Sequence, residues 1–175
     1  MEQYIVLLKG VNVSGKNIIK MALLKDALTK TGFTNVTTYI QSGNIVLQSN
    51  LTAPQIQETI NQLIYTEFQL QIAIFCLTTA QIKQALQNNP FPESAPGNKV
   101  FITFLKDTLT TDALLQIEQT NWSNDKVVII NNVLYFYLVE GMGQSKLNNN
   151  FFERKLHTTA TGRNLNTLNK LVAMV

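Results

Sequence analysis

Three segments of this chain are apolar at every consecutive position, and this constrains its fold more than any other feature. Residues 4–8 read YIVLL, residues 72–77 read IAIFCL and residues 133–139 read VLYFYLV. A strand with one solvated face alternates apolar and polar side chains; a strand that does not alternate is covered on both faces. A sheet built from these strands therefore needs helices on one face and a second apolar surface on the other.

The intervening segments supply the helices. Met21, Leu24, Ala27 and Leu28 recur at helical spacing, and Gly32 follows as a stop signal. Pro54 opens a second stripe made of Ile56, Ile60, Leu63, Ile64 and Phe68. Strands are expected at 36–40 and 45–48, joined by a turn at 41–44. The first half thus reads βαββαβ, the ferredoxin-like order. The second half nearly repeats it. A linking helix is expected at 79–88, followed by a loop with Pro90, Pro92, Pro96 and Gly97. A strand at 100–105, a helix at 111–119, a hairpin at 126–139 turning on Asn131 and Asn132, and helices at 149–156 and 164–173 complete it. Residues 158–161 are expected as a short last strand. The expected fold class is α+β: two ferredoxin-like modules with antiparallel sheets, residues 1–78 and 79–175, packed into one compact body. The second module is the surface expected to cover the other face of the first sheet.

Composition narrows the function classes. Apolar residues make up 45% of the 175, which excludes a disordered chain. Charged residues are 14%, against about 25% in an average domain. Their place is taken by 19 Asn, 14 Gln and 19 Thr, so the surface is neutral and polar. The amino terminus lacks the basic start of a secretory signal, and no apolar run reaches the ~18 residues of a membrane span. A cytoplasmic, monomeric protein without a membrane partner is expected. Cys76 is the one cysteine, and it lies within an apolar strand with no neighbour for a disulfide or a metal. His157 is the one histidine, with no nucleophile beside it. No paired carboxylates or metal spacing are visible. Enzyme activity is left open, no cofactor is indicated and no metal is expected.

Four polar loops could carry a ligand. Residues 10–17 read GVNVSGKN, one residue away from the phosphate-binding pattern G-x-x-x-x-G-K-[ST]. Asn17 stands where that pattern needs a hydroxyl for Mg²⁺, and the expected sheet is antiparallel, so nucleotide hydrolysis is disfavoured. A simpler anion site using Lys9, Asn12, Lys16 and Asn17 remains. The turn with Gln41, Ser42 and Asn44 around Gly43 reads first as a structural turn, with side chains also able to read a ligand. The loop GMGQSKL at 141–147 brings Ser145 and Lys146 to the start of a helix, and it reads either as a cousin of the first loop or as a flexible connection ending in a cap. Arg163 precedes Asn164, an expected N-cap, and Asn166 follows. A cation there opposes the helix dipole, which suggests an anionic partner.

The charge distribution agrees. Residues 1–31 carry a net +3, residues 142–175 a net +4 and residues 32–141 a net −4. If the chain ends meet, they form a local basic site on a nearly neutral protein.

These motifs also carry a resemblance. KGVNV at 9–13, GKN at 15–17, YIQSGN at 39–44, NPFP at 89–92, GMGQSKL at 141–147 and RNLNT at 163–167, in this order, resemble the bacterial family called domain of unknown function 1697. The resemblance implies tandem ferredoxin-like modules and no assigned activity. The family generally has Trp where this chain has Leu165, and commonly Gly where it has Ser14, so no role that needs an aromatic at 165 carries over. The expected function is binding of an anionic or phosphorylated small molecule, a nucleotide or sugar phosphate, at the basic loops. The alternatives are nucleic-acid binding through the same loops and a structural or partner-binding role.

Overall fold

The structure, a computed structural model, describes all of residues 1–175. It divides into two compact units, residues 1–83 with 171–175, and residues 84–170. The first unit contains β1 (Glu2–Leu8), α1 (Met21–Lys30), β2 (Thr34–Tyr39), β3 (Asn44–Ser49), α2 (Ala53–Phe68) and β4 (Ile74–Thr78). Helix α3 (Thr79–Gln87) follows. The second unit contains β5 (Val100–Leu105), α4 (Thr111–Gln119), β6 (Lys126–Ile130), β7 (Val133–Tyr137), α5 (Asn149–Leu156) and β8 (Ala160–Asn164); α6 (Leu165–Ala173) ends the chain. The sheets run β2-β3-β1-β4 and β6-β7-β5-β8, and every neighbouring pair is antiparallel. Both units are ferredoxin-like.

In the first unit Tyr4, Val6 and Leu8 of β1 join the core beneath α1 and α2, packing with Leu24, Leu28, Ile56 and Ile60. Ile5 and Leu7 point to the other face by strand alternation, and they too are fully buried. The non-alternating pattern of residues 4–8 is thus accounted for. Each such side chain contributes about 1.5–3 kcal/mol on leaving water. Local signals set the helix limits. Gln55 Oε1 accepts the Thr52 N–H at 2.9 Å at the start of α2, with Pro54 in its first turn. Gly32, at φ +103°, follows the Thr31 C-cap of α1.

The second core is aromatic. Phe101 stacks on Phe136 at 4.9 Å between ring centres, and Phe136 meets Phe152 of α5 at 5.1 Å. Asn131 and Asn132, at φ 50° and 62°, form the two-residue turn between β6 and β7, a conformation that Asn tolerates. The last strand differs from the expectation. It spans Ala160–Asn164 rather than 158–161, so Arg163 lies within the sheet as well as directly before the Asn164 cap of α6. Asn164 serves both elements. Its backbone pairs with Phe101, while its Oδ1 accepts the Thr167 N–H at 2.9 Å and caps α6. Gly162 makes this strand possible. The hydrogen bond from Thr103 Oγ1 to Asn149 Oδ1, 3.0 Å, passes where a side chain at 162 would sit. No helix is long and apolar enough to cross a membrane.

Candidate functional site

The twelve residues expected at a site fall into two groups, one in each unit. The first group gathers at the end of the sheet where β1 finishes. Leu7 pairs with Asn44 there, and the Leu8 N–H donates to Gly43 O at 2.8 Å. The 9–20 loop leaves β1 and folds into a miniature hairpin, with a bridge between Val13 and Lys16 and a tight turn over Ser14 (φ 51°) and Gly15 (φ 74°). Asn12 organises it. Its Oδ1 accepts the Ile19 N–H at 2.9 Å, and its Nδ2 donates to Ile19 O at 2.9 Å and to Gln41 O at 2.7 Å. One amide therefore fastens the 9–20 loop to the 40–43 turn. Asn17 Nδ2 closes the hairpin base by donating to Gly10 O at 3.0 Å. Asn44 is fully buried, and its Nδ2 donates to Tyr39 O and Ser42 Oγ. Lys16 is exposed near the tip, and Lys9 is half-buried at the start of the loop.

This geometry departs from a phosphate-binding loop. Helix α1 begins at Met21, four residues after Asn17, and the intervening residues do not continue into it from Lys16. The Gly and Asn residues serve the positive φ angles of a hairpin rather than a helix amino terminus.

The second group lies in the other unit. Tyr137 pairs with Val100, and Asn164 pairs with Phe101, so the 138–148 loop and the start of α6 leave the sheet at the same end. The 138–148 loop connects the third strand of its module to the second helix. Its counterpart in the first unit is the short 50–52 connection, not the 9–20 loop. The expected kinship between GVNVSGKN and GMGQSKL is thus absent from the topology. The counterpart of the 9–20 loop is the stretch 106–110 after β5.

Several second-group residues have structural tasks. Ser145 Oγ donates to Asp125 Oδ2 at 2.6 Å and accepts the Leu147 N–H at 3.1 Å. Asp125 Oδ1 also accepts the Val139 N–H at 3.0 Å. Lys99 Nζ donates to Val139 O at 2.8 Å. Neither Asp125 nor Lys99 stands out in the sequence, because a separation of 20 residues between Asp125 and Ser145 leaves no local pattern to read. Asn166 lies against Gly97, so closely that a side chain at 97 would collide with it. Lys146 is exposed. Arg163 shares the β8 face with Thr161, opposite Ala160 and its core. Its Nη1 donates to Thr161 Oγ1 at 3.0 Å and Gly162 O at 2.9 Å, and burial lowers its pKa to about 10.

Two cavities lie elsewhere. One, about 740 Å³, runs between α1 and α2 and is lined by Leu23, Ala27, Leu63 and Phe68 among others. The other, about 560 Å³, lies beside the start of α4 and the end of α5, with Asp107, Arg154 and His157 in its wall. None of the twelve residues lines either one.

The family described as a protein of unknown function, DUF1697, matches residues 1–135. The chain belongs to this family. The match includes the first group of loop residues and ends before the GMGQSKL and RNLNT segments of this DUF1697 protein. A comparison with curated proteins gave no match. Among solved structures, the conserved bacterial protein SP0830 from Streptococcus pneumoniae is similar, with 22% identity, 99% of this chain and 98% of that chain covered, and a TM-score of 0.72. At that identity the likeness concerns the fold alone.

Proposed function

We propose that this DUF1697 protein binds a phosphorylated or otherwise anionic small molecule where β1 ends, at the paired 9–20 loop and 40–43 turn. The observation that carries this reading is the Asn12 bridge. It holds the two loops together before any ligand arrives, so little ordering entropy opposes binding. Charge supports the reading. Lys9, Lys16 and Lys20 lie on this stretch, and no acid occurs in residues 3–25 or 27–57. A local field of one sign raises the concentration of anions nearby. The second group is less suited, because Ser145 is engaged by Asp125, itself an acid.

Base stacking on the first sheet, as in RNA-recognition modules, is opposed by the burial of Tyr4, Ile5, Val46 and Leu47. The reading also places the protein in a bacterial cytoplasm, which the lone buried Cys76 and the bacterial relative support.

Calorimetric titration with nucleotides and sugar phosphates at low and high salt tests this. Binding that weakens with salt, is lost in Lys16→Ala and persists in Lys146→Ala is the expected result. No binding of any of these anions, or equal losses in both variants, would overturn it.

A further inference from the structure

The two sheets have four edge strands: β2, β4, β6 and β8. An unpaired strand edge is a template for another strand, and proteins protect such edges with bulges, charges, prolines or a covering segment. Three of these edges are protected. The β2–β3 ladder shifts register between Thr34 and Thr37, and Asn35 adopts φ 51° within that irregularity. Ile74, Phe75 and Cys76 of β4 are buried. Strand β8 contains Gly162 and the charged Arg163.

Strand β6 is the least protected, with a single charge at one end and no bulge or buried stretch. It reads KVVII, its ladder with β7 is regular, its one charge is at the first residue, and none of its residues is fully buried. Ile130 pairs with Val133 across the two-residue turn, which makes that pair hydrogen-bonded. Alternation then directs the backbone groups of Lys126, Val128 and Ile130 toward β7. The N–H and C=O of Val127 and Ile129 face outward.

From this pattern we infer that β6 pairs with β6 of a second copy of this chain, antiparallel about a two-fold axis at Val128. In that register Val127 of one copy lies opposite Ile129 of the other, and the reverse. All four outward groups on each copy find partners, giving four hydrogen bonds across the axis. Val128 meets its own symmetry mate. The two Lys126 side chains lie at opposite ends of the ribbon, so no like charges face each other. The two four-stranded sheets become one sheet of eight. The strand has only five residues, so the contact is small and the dimer depends on concentration. This departs from the monomer that the sequence alone favours.

Sedimentation of the full chain across a wide concentration range tests the inference. Val127→Pro removes an N–H that makes no bond within the monomer, so it should abolish the dimer and leave the fold intact. Circular dichroism and thermal unfolding check the latter. Val128→Lys and Val128→Asp place like charges on the axis; each should be monomeric alone, and a mixture should restore a heterodimer. A wild type that stays monomeric at every concentration would overturn the inference. So would a dimer that survives Val127→Pro in a folded protein, or charged variants that fail to recombine.

Discussion

The hydroxyl of Ser145 donates a 2.6 Å hydrogen bond to the carboxylate of Asp125. The same carboxylate accepts the Val139 N–H, and the same hydroxyl accepts the Leu147 N–H. These two side chains therefore tie down both ends of a nine-residue stretch that otherwise has few internal bonds.

Ser145→Ala leaves the Leu147 N–H and one carboxylate oxygen without these partners. Losing hydrogen bonds to partly buried groups costs about 1–3 kcal/mol. Urea denaturation should show Ser145→Ala less stable by an amount in that range, with Asp125→Ala at least as damaging. Hydrogen exchange should accelerate at 139–147 in both variants. Stability equal to wild type in both would show that the clamp contributes nothing.

The same pair shows where the sequence stops being readable. Helix and strand positions follow from periodicity and caps, and those signals are local. Strand β5, helix α4, strand β6 and helix α5 fall where the residue pattern places them. The double apolar faces of β1 are visible for the same reason. The roles of the loop residues are not local. Asn12 looks like a ligand residue in GVNVSGKN, yet its amide joins backbone groups 7 and 29 residues away. Ser145 similarly looks free until a carboxylate 20 residues earlier reaches it. Asn164 signals a cap and Arg163 does precede that helix, but a cap residue can also end a strand, and the extension of β8 to Asn164 leaves no local signal. Polar loop residues answer to partners that only the fold brings near.

Two neighbours in the 40–43 turn should respond to substitution in opposite directions. Ile40 has φ 50° and is half exposed, a conformation a β-branched residue adopts at a cost. A left-handed conformation costs an ordinary L-residue about 1–2 kcal/mol, and Asn tolerates it better. Ile40→Asn should stabilise the fold by up to about 1 kcal/mol. Gly43 has φ 72°, and a Cβ there would sit 2.7 Å from the Leu8 Cβ, with the Leu8 backbone oxygen at 3.3 Å. Flexible rotation cannot relieve a clash with a Cβ. Gly43→Ala should therefore lose more than the ~1 kcal/mol that φ alone implies. Thermal unfolding of both variants decides the point. A stabilised Gly43→Ala, or an Ile40→Asn that loses stability, would contradict the geometry.

Alkaline pH should destabilise this protein, in part through two buried groups. Burial pushes the Cys76 thiol from 9.0 up to about 12 and the Tyr135 phenol from 10.0 up to about 12. Tyr135 is also held by its donation to Ala85 O at 3.0 Å, which requires the protonated form. In the unfolded chain both groups release their protons near their ordinary values. The unfolded state then binds fewer protons than the folded state, so stability falls as pH rises. The contribution is fully present below about pH 9 and is lost as pH climbs toward about 12. Urea denaturation from neutral to strongly alkaline pH should show this decline. Cys76→Ala should flatten its lower part, and Tyr135→Phe its upper part, although Tyr135→Phe also loses a hydrogen bond and starts from lower stability. In the folded protein Cys76 should resist thiol reagents at mildly alkaline pH and react once urea exposes it. A thiol as reactive in the folded protein as in the unfolded chain would contradict the burial of β4.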